Sequence, residues 1–431
     1  MSILVFSIGF LIMIVAMLMS LPIAVAMAAV GVAGGVLAYG EPFISAVAPV
    51  VWGVQNDYLL TSIPLFVLLG ELLLRSGIAD RMYGALSAWL GGIPGGLLHT
   101  NIGSSALFAA TSGSSVATAA TVGTVALPSL YARKYSMRAS LGSLAAGGTL
   151  GILIPPSVNL IIYGSMTNTS IGKLFLAGLI PGILLAISFM VFIYLSSVIS
   201  GNAIREESVP MRERVRLLKH LVPPFVVFGI VMGSLYLGIA TATESASLGV
   251  ITALVFVWKA GKLKWEIMVA CFISTGRVSG MILLVLVASF ILNLTISLTG
   301  IAESMTQLVT SMGLTPTAFI LVLIVFFLIL GMFMDVLSMQ VSTVPITFPI
   351  AVAMGIDPLW YGIFVIVMCE LALITPPVGM NLFIVHGIRP DNGTVADAMW
   401  GAVPYVIIMI LFTIVLLFIP GLATWLPGLG G

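Results

Sequence analysis

Ile154-Pro155-Pro156-Ser157-Val158-Asn159-Leu160 lies within an apolar stretch and returns later in the chain as Thr375-Pro376-Pro377-Val378-Gly379-Met380-Asn381-Leu382. Proline removes a backbone donor, and its ring clashes with the carbonyl four residues back. Two in succession therefore break a helix and free several carbonyls. Well upstream of each Pro-Pro stands another matched pair, Ser76-Gly77-Ile78-Ala79-Asp80-Arg81-Met82 and Thr299-Gly300-Ile301-Ala302-Glu303-Ser304-Met305. Pro128 and Pro349 hold corresponding places between these landmarks. Three landmarks in one order, with nearly constant separation, mark an internal duplication.

The surroundings of these motifs are those of a membrane protein. Of 431 residues, 60% are hydrophobic and only 7% charged, against about 25% charged in a soluble domain, so most of the surface must meet lipid. A net charge of +1 gives no argument for nucleic acid or a polyacidic partner. Cys271 and Cys369 both sit in apolar runs and read as small buried hydrophobes rather than a disulfide. No Walker motif occurs, so the chain does not hydrolyse ATP. At the N-terminus no basic residue precedes the apolar run Ile3–Tyr39; the first is Arg75. That run is far longer than a signal-peptide core of about 7–15 residues, and it reads as two short helices parting near Leu21-Pro22.

A spanning helix needs about 20 apolar residues, which places spans near 3–20, 21–39, 60–75, 139–163, 173–198, 221–239, 243–258, 267–298, 360–388 and 396–420. Regions 98–131 and 318–353 are also apolar but are interrupted, by Thr111-Ser112-Gly113-Ser114-Ser115 and by Asp335-Val336-Leu337-Ser338. Irregular backbone at membrane depth is tolerated only inside protein or beside a wet cavity. Both regions are therefore expected to be re-entrant helical hairpins. With the N-terminus outside, the basic residues from Arg75 to Arg389 fall on the cytoplasmic side and only Lys173 falls outside, as the positive-inside rule asks.

Between equivalent points of the two copies the chain crosses the membrane an odd number of times, so the second copy is inverted. Inverted repeats are characteristic of secondary transporters, whose site lies at the repeat interface. The expected fold is all-α and polytopic, each repeat holding one re-entrant hairpin and one Pro-Pro-broken helix. Scaffold helices fill 1–75, the first repeat 76–198 (hairpin 98–131, broken helix 139–163) and a cytoplasmic loop 199–220. Central scaffold helices fill 221–298, the second repeat 299–388 (hairpin 318–353, broken helix 360–388), and a last helix 389–431.

Unwound carbonyls are hard oxygen ligands for a cation such as sodium, while hairpin and half-helix N-termini present amides to an anion. Asp335 and Glu370 are ionisable groups in apolar surroundings, functional candidates by default. Ser112, Gly113, Ser114 and Ser115 offer hydroxyls and close backbone approach at the first tip. Asn159 and Asn381, each after a Pro-Pro, could orient a carboxylate or merely cap a half-helix. Candidate substrate contacts are thus Ser114, Ser115, Asn159, Ser338, Glu370 and Asn381. Arg277, near the start of its span, is expected to snorkel.

Ser112-Gly113-Ser114-Ser115-Val116-Ala117-Thr118, Gly151-Ile152-Leu153-Ile154-Pro155-Pro156-Ser157, Gly331-Met332-Phe333-Met334-Asp335 and Thr375-Pro376-Pro377-Val378-Gly379-Met380-Asn381 together resemble the large membrane subunit of the tripartite ATP-independent periplasmic (TRAP) transporters. The likeness runs over essentially the whole chain. It implies an elevator-type transporter of the bacterial inner membrane, driven by sodium, that receives small carboxylates from a periplasmic solute-binding protein. It further implies a small four-helix membrane subunit, expected as a separate chain because no such extension precedes Met1. Carried over, one sodium would lie between Ser112, Gly113, Ser114 and the break at Gly151, Pro155 and Pro156. A second would lie between Met334, Asp335 and the break at Thr375, Pro376 and Pro377, bound largely by backbone carbonyls.

Two other classes remain. A stand-alone sodium–carboxylate symporter could share this architecture without a binding protein. An intramembrane serine protease is raised by Gly113-Ser114, but it needs a general base within hydrogen-bond reach. None of His99, His220 and His386 has an evident partner.

Overall fold

The computed structural model describes residues 3–201, 204–206 and 209–429, with side chains from Ser7 onward. The expected outward placement of the N-terminus depends on residues 3–39 being two spans; Met1 and Ser2 themselves lie outside the described residues. Helices α1 (Ile3–Leu18), α2 (Ile23–Tyr39), α3 (Pro42–Gln55) and α4 (Ser62–Arg75) open the chain. α1 and α2 part at Leu21-Pro22, where proline has no amide to continue the ladder. α3 went unread because its 14 residues reach only about 21 Å, short of a bilayer core of about 30 Å. Helices α12 (Val222–Tyr236), α13 (Ala242–Lys259) and the 34-residue α14 (Trp265–Leu298) complete this first group. α14 packs on α2, α3 and α4, and α13 on α4 and α12. Lipid tails are as apolar as Leu, so association relies on close packing of small residues. A Cβ at Gly31 would lie 3.0 Å from the Leu292 backbone, and Thr295 donates to Gly31 O at 2.7 Å across the same seam.

The two repeats form the second group. In the first, α6 (Leu97–Ser112) and α7 (Ser115–Ala132) make the hairpin, and α8 (Met137–Leu153) with α9 (Val158–Thr167) makes the broken helix, bent by 41°. In the second, α16 (Pro316–Gly331) and α17 (Val336–Ala353) make the hairpin, and α18 (Pro358–Ala372) with α19 (Met380–Gly387) the broken helix. Both Pro-Pro bonds are cis. α8 is entirely buried from Ser140 to Leu153 and touches α6, α7, α18, α19 and α20 (Val395–Phe418). Its small residues permit this: a Cβ on Gly142 would run into the Gly401 carbonyl of α20, and one on Gly148 would lie 2.6 Å from Ala119 Cβ. α10 (Ile171–Ile199) closes the first repeat and packs on α6, α8 and α18 and on the short C-terminal α21 (Gly421–Gly428). Ile183, Ile187 and Val191 expose one apolar stripe along it, which costs nothing against lipid.

The duplicated Ser/Thr-Gly-Ile-Ala motif finds its reason in two corners. Gly77 (φ 69°) and Gly300 (φ 64°) adopt left-handed backbone that side-chain-bearing residues avoid. Each starts an amphipathic arm linking the two groups, α5 (Ile78–Leu90) and α15 (Ile301–Ser311). A charged helix, α11 (Met211–Leu217), lies in the 199–220 loop. Cys271 and Cys369 are buried free thiols.

Candidate functional site

The hairpin tips are built by complementary local chemistry. Gly113 turns the first with φ 60°, and Ser114 caps α7 by accepting the Ala117 amide at 3.4 Å. At the equivalent place Asp335 caps α17, accepting the amides of Leu337 (3.1 Å) and Ser338 (3.3 Å) and the Ser338 hydroxyl. Capping oxygens satisfy amides that a helix start leaves orphaned. The chemistry differs between the copies: a neutral hydroxyl caps the first tip, a carboxylate the second.

Both tips face one cavity of about 520 Å³ between the two helix groups, within the range of small-molecule sites. Val67, Gly70, Glu71 and Leu74 of α4 and Val278, Met281 and Ile282 of α14 form its scaffold wall. Ser112 to Ala117, Asp335 to Leu337, and Ile152, Val158, Asn159, Leu373 and Met380 beside the breaks form the other. No Lys or Arg lines it. Its acids are Asp335 and Glu71, and Glu71 is held by Arg75 (2.9 Å) and the Ser274 hydroxyl (2.7 Å).

Ser114, Ser115 and Asn159 thus lie on the cavity wall, whereas Ser338, Glu370 and Asn381 do not. Ser338 is buried and donates to Asp335. Asn381 is fully buried and donates to Ala145 O at 3.2 Å. Glu370 is fully buried behind the wall, beside the Leu153 backbone of the first break. In this conformation none of the three borders the cavity; sequence distance from Pro-Pro carried no information on which side of the wall each side chain falls. Asn159 is itself engaged, donating to Gln340 Oε1 (2.9 Å) while Gln340 donates back to Asn159 O (2.8 Å). This reciprocal clamp ties the first broken helix to the second hairpin. Gln340 and Glu71 escaped the sequence reading, although both are polar groups within apolar runs, the signal that singled out Asp335.

The two breaks are not alike. At the first, a Cβ on Gly113 would lie 2.8 Å from Pro156 O and one on Gly151 2.7 Å from Ser114 O, so tip and break are in backbone contact. Pro155 and Pro156 have no amide to give the carbonyls of Gly151 and Ile152, and no other described group donates to them. Gly113 and Ser114 of the tip thus meet Gly151 and Pro156 of the break in backbone contact, beside the open carbonyls of Gly151 and Ile152, while the Ser114 carbonyl accepts the Thr118 amide at 3.0 Å. At the second, the carbonyls of Ala372 and Leu373 accept the amides of Thr375 (3.3 Å) and Asn381 (3.0 Å). Thr375 donates its hydroxyl to Leu371 O (2.6 Å), and Pro377 is exposed. The second tip rests on α18, where Cys369 Sγ meets Val336 O at 3.9 Å. Among the described residues no hydrogen bond links Met334 or Asp335 to Thr375, Pro376 or Pro377. No cluster of three or more His, Cys, Asp or Glu suited to a metal occurs among the described residues.

Ser114 has no histidine partner. Its hydroxyl caps α7, and His99 instead bonds Pro94 O at 2.8 Å.

The family described as "Tripartite ATP-independent periplasmic transporter, DctM component" matches residues 10–422. The chain is 33% identical over 401 residues, 91% of each chain, to the C4-dicarboxylate TRAP transporter large permease protein DctM of Pseudomonas aeruginosa. It is 30% identical over 347 residues to the sialic acid TRAP transporter large permease protein SiaM of Vibrio cholerae, covering 79% of this chain and 80% of that one. In solved structures its fold is similar to that of the YdaH transporter of Alcanivorax borkumensis, with TM-score 0.68 and 13% identity over 89% of each chain. An all-helical chain of inverted repeats that matches this family over nearly its full length belongs to the DctM component of the tripartite ATP-independent periplasmic transporters and is a multi-pass membrane permease, not an enzyme.

Proposed function

We propose that this chain is the substrate-translocating subunit of a sodium-driven importer of small organic acids in a bacterial inner membrane. In this reading a periplasmic binding protein delivers the acid, and a small four-helix membrane subunit stands beside the scaffold. The observation that carries the proposal is the single cavity into which both hairpin tips point, with the open carbonyls of Gly151 and Ile152 adjoining the first.

The two tips divide the work by charge. With only a neutral serine as its cap, the first tip keeps the Ser115 and Val116 amides for a carboxylate, favoured by the helix dipole. At the second tip Asp335 occupies the Leu337 and Ser338 amides and favours a cation instead. Sodium, as co-transported cargo, sits at the Gly151–Pro156 break and near Asp335, and offsets the anion's charge in a cavity without Lys or Arg. The C4-dicarboxylate class comes first, after the Pseudomonas relative, and sialic acid is the runner-up.

The hairpins and broken helices are expected to move together past α4 and α14, hinging at Gly77 and Gly300. The test is uptake by the complete complex in liposomes under separately imposed sodium, proton and potassium gradients. Uptake that follows the sodium gradient without ATP is expected. Equal uptake driven by protons in the absence of sodium would overturn the sodium assignment.

A further inference from the structure

On the membrane face that carries the basic residues, a second cavity of about 250 Å³ opens between the arm α5, the turn 218–220, and the scaffold helices α12 and α13. Arg81 reaches it from the arm, Lys219 and His220 from the turn, and Lys259 from the end of α13. Val222 and Phe256 give it apolar walls. Four basic side chains from three elements distant in sequence thus converge on one opening.

Among the described residues Arg81, Lys219 and Lys259 have no counter-ion: the ion pairs there join Arg75 to Glu71, Arg133 to Glu206, and Arg389 to Asp391 and Asp397. Arg81 spends two donors on the carbonyls of Gly77 (3.3 Å) and Ser76 (3.5 Å), which holds its guanidinium at the cavity. The neighbouring Asp80 carboxylate turns back towards Gly77. Burial, and then the charges of Lys219 and Arg81, push the His220 imidazole below its ordinary range. A field that disfavours one more positive charge is one that an anion relieves.

Basic residues at this level usually just face water. Here, however, they close on a cavity with an apolar wall, at the ends of two scaffold helices and so at the membrane boundary. An anion with a hydrocarbon tail fits both halves, and basic pockets between helices on the cytoplasmic side recognise anionic lipid headgroups. We propose that this cavity binds the phosphate headgroup of an anionic phospholipid through Arg81, Lys219 and Lys259, with an acyl chain against Phe256 and Val222. Arg81 lies on the arm just beyond the Gly77 corner, whereas Lys219 and Lys259 belong to the scaffold side. A bound lipid therefore bridges the two and steadies the arm in this conformation.

The test compares the complete complex in phosphatidylcholine nanodiscs with and without phosphatidylglycerol, by lipid retention in native mass spectrometry and by melting temperature. The variants are R81Q/K219Q/K259Q and, removing equal charge elsewhere on the same face, R212Q/K262Q/K264Q. Each cavity cation is expected to be worth about fivefold in phosphatidylglycerol affinity. The first triple should lose the retained lipid and its protection, while the second should keep both. Melting in pure phosphatidylcholine should be unchanged, and the single variants R81Q and K259Q serve if the triple does not fold. Equal loss in both triples would mean diffuse surface charge and overturn the site. Equal protection by glycerol phosphate or inorganic phosphate would replace the lipid with a soluble anion and overturn it as well.

Discussion

At Gly70 the scaffold meets the backbone of the first hairpin tip, which offers a direct handle on their relative motion. A Cβ built there would lie 3.1 Å from Ser112 O and 3.2 Å from Ser112 Cα, tighter than ordinary van der Waals contact and against backbone rather than a flexible side chain. Gly70→Ala requires a few tenths of an ångström of give. Gly70→Val adds two methyls that must displace the tip or α4, and overpacking of this kind costs about 1–3 kcal/mol. If hairpins slide past α4, that cost falls on this conformation and not on one in which the tip has left Gly70. The population of this conformation should then drop about 5–150-fold relative to the displaced one. The assay is labelling of a single cysteine at Ser115, in a background lacking Cys271 and Cys369, from each side of the membrane. A probe on α12 supplies the distance between the groups. Gly70→Val should shift Ser115 accessibility and that distance together and slow uptake, with Gly70→Ala in between. Unchanged labelling, distance and uptake in a well-folded Gly70→Val protein would refute the sliding contact.

Other consequences are equally concrete. Asp335→Asn should keep the cap of α17, since Asn caps as well as Asp, yet weaken sodium dependence; normal sodium affinity in transport titrations would return Asp335 to a purely structural role. Gln340→Ala strips the Asn159 amide of its buried acceptor and should destabilise the protein by about 1–3 kcal/mol, read in detergent melting, whereas an unchanged melting temperature would make the clamp incidental. Glu370→Gln should leave the transport KM within about twofold, because Glu370 lies behind the cavity wall; a KM rise above about tenfold, the signature of about 1.4 kcal/mol of lost binding, would place it back in contact with solute.

Much of this protein can be read from its sequence, because the bilayer restricts what a chain is free to do. Runs such as 173–198 and 396–420 had to be spanning helices. Interrupted runs at Ser112–Ser115 and Asp335–Ser338 had to be buried in protein, and the recurrence of Pro-Pro had to mean two broken helices of one design. Even the arm corners were written in the repeated glycine, although their purpose showed only when Gly77 and Gly300 proved to be left-handed. Helix α3 escaped because, though apolar, it is too short to span, and α11 because it is both short and charged.

What only the tertiary structure decided is which side of a wall each polar residue faces. Periodicity places Asn159 and Asn381 alike, one turn beyond a proline pair, yet Asn159 borders the cavity and Asn381 is buried against Ala145. Duplication likewise predicts two equal breaks, yet the amides of Thr375 and Asn381 fill carbonyls that their counterparts leave open at Gly151 and Ile152. The cavity is made of helices separated by long stretches of chain, and the basic pocket joins Arg81 to Lys259 in the same way. Local sequence sets backbone propensity and the depth of each span. Which groups meet depends on how helices rotate about their axes when small residues let them touch, and that is settled only by packing the whole chain at once.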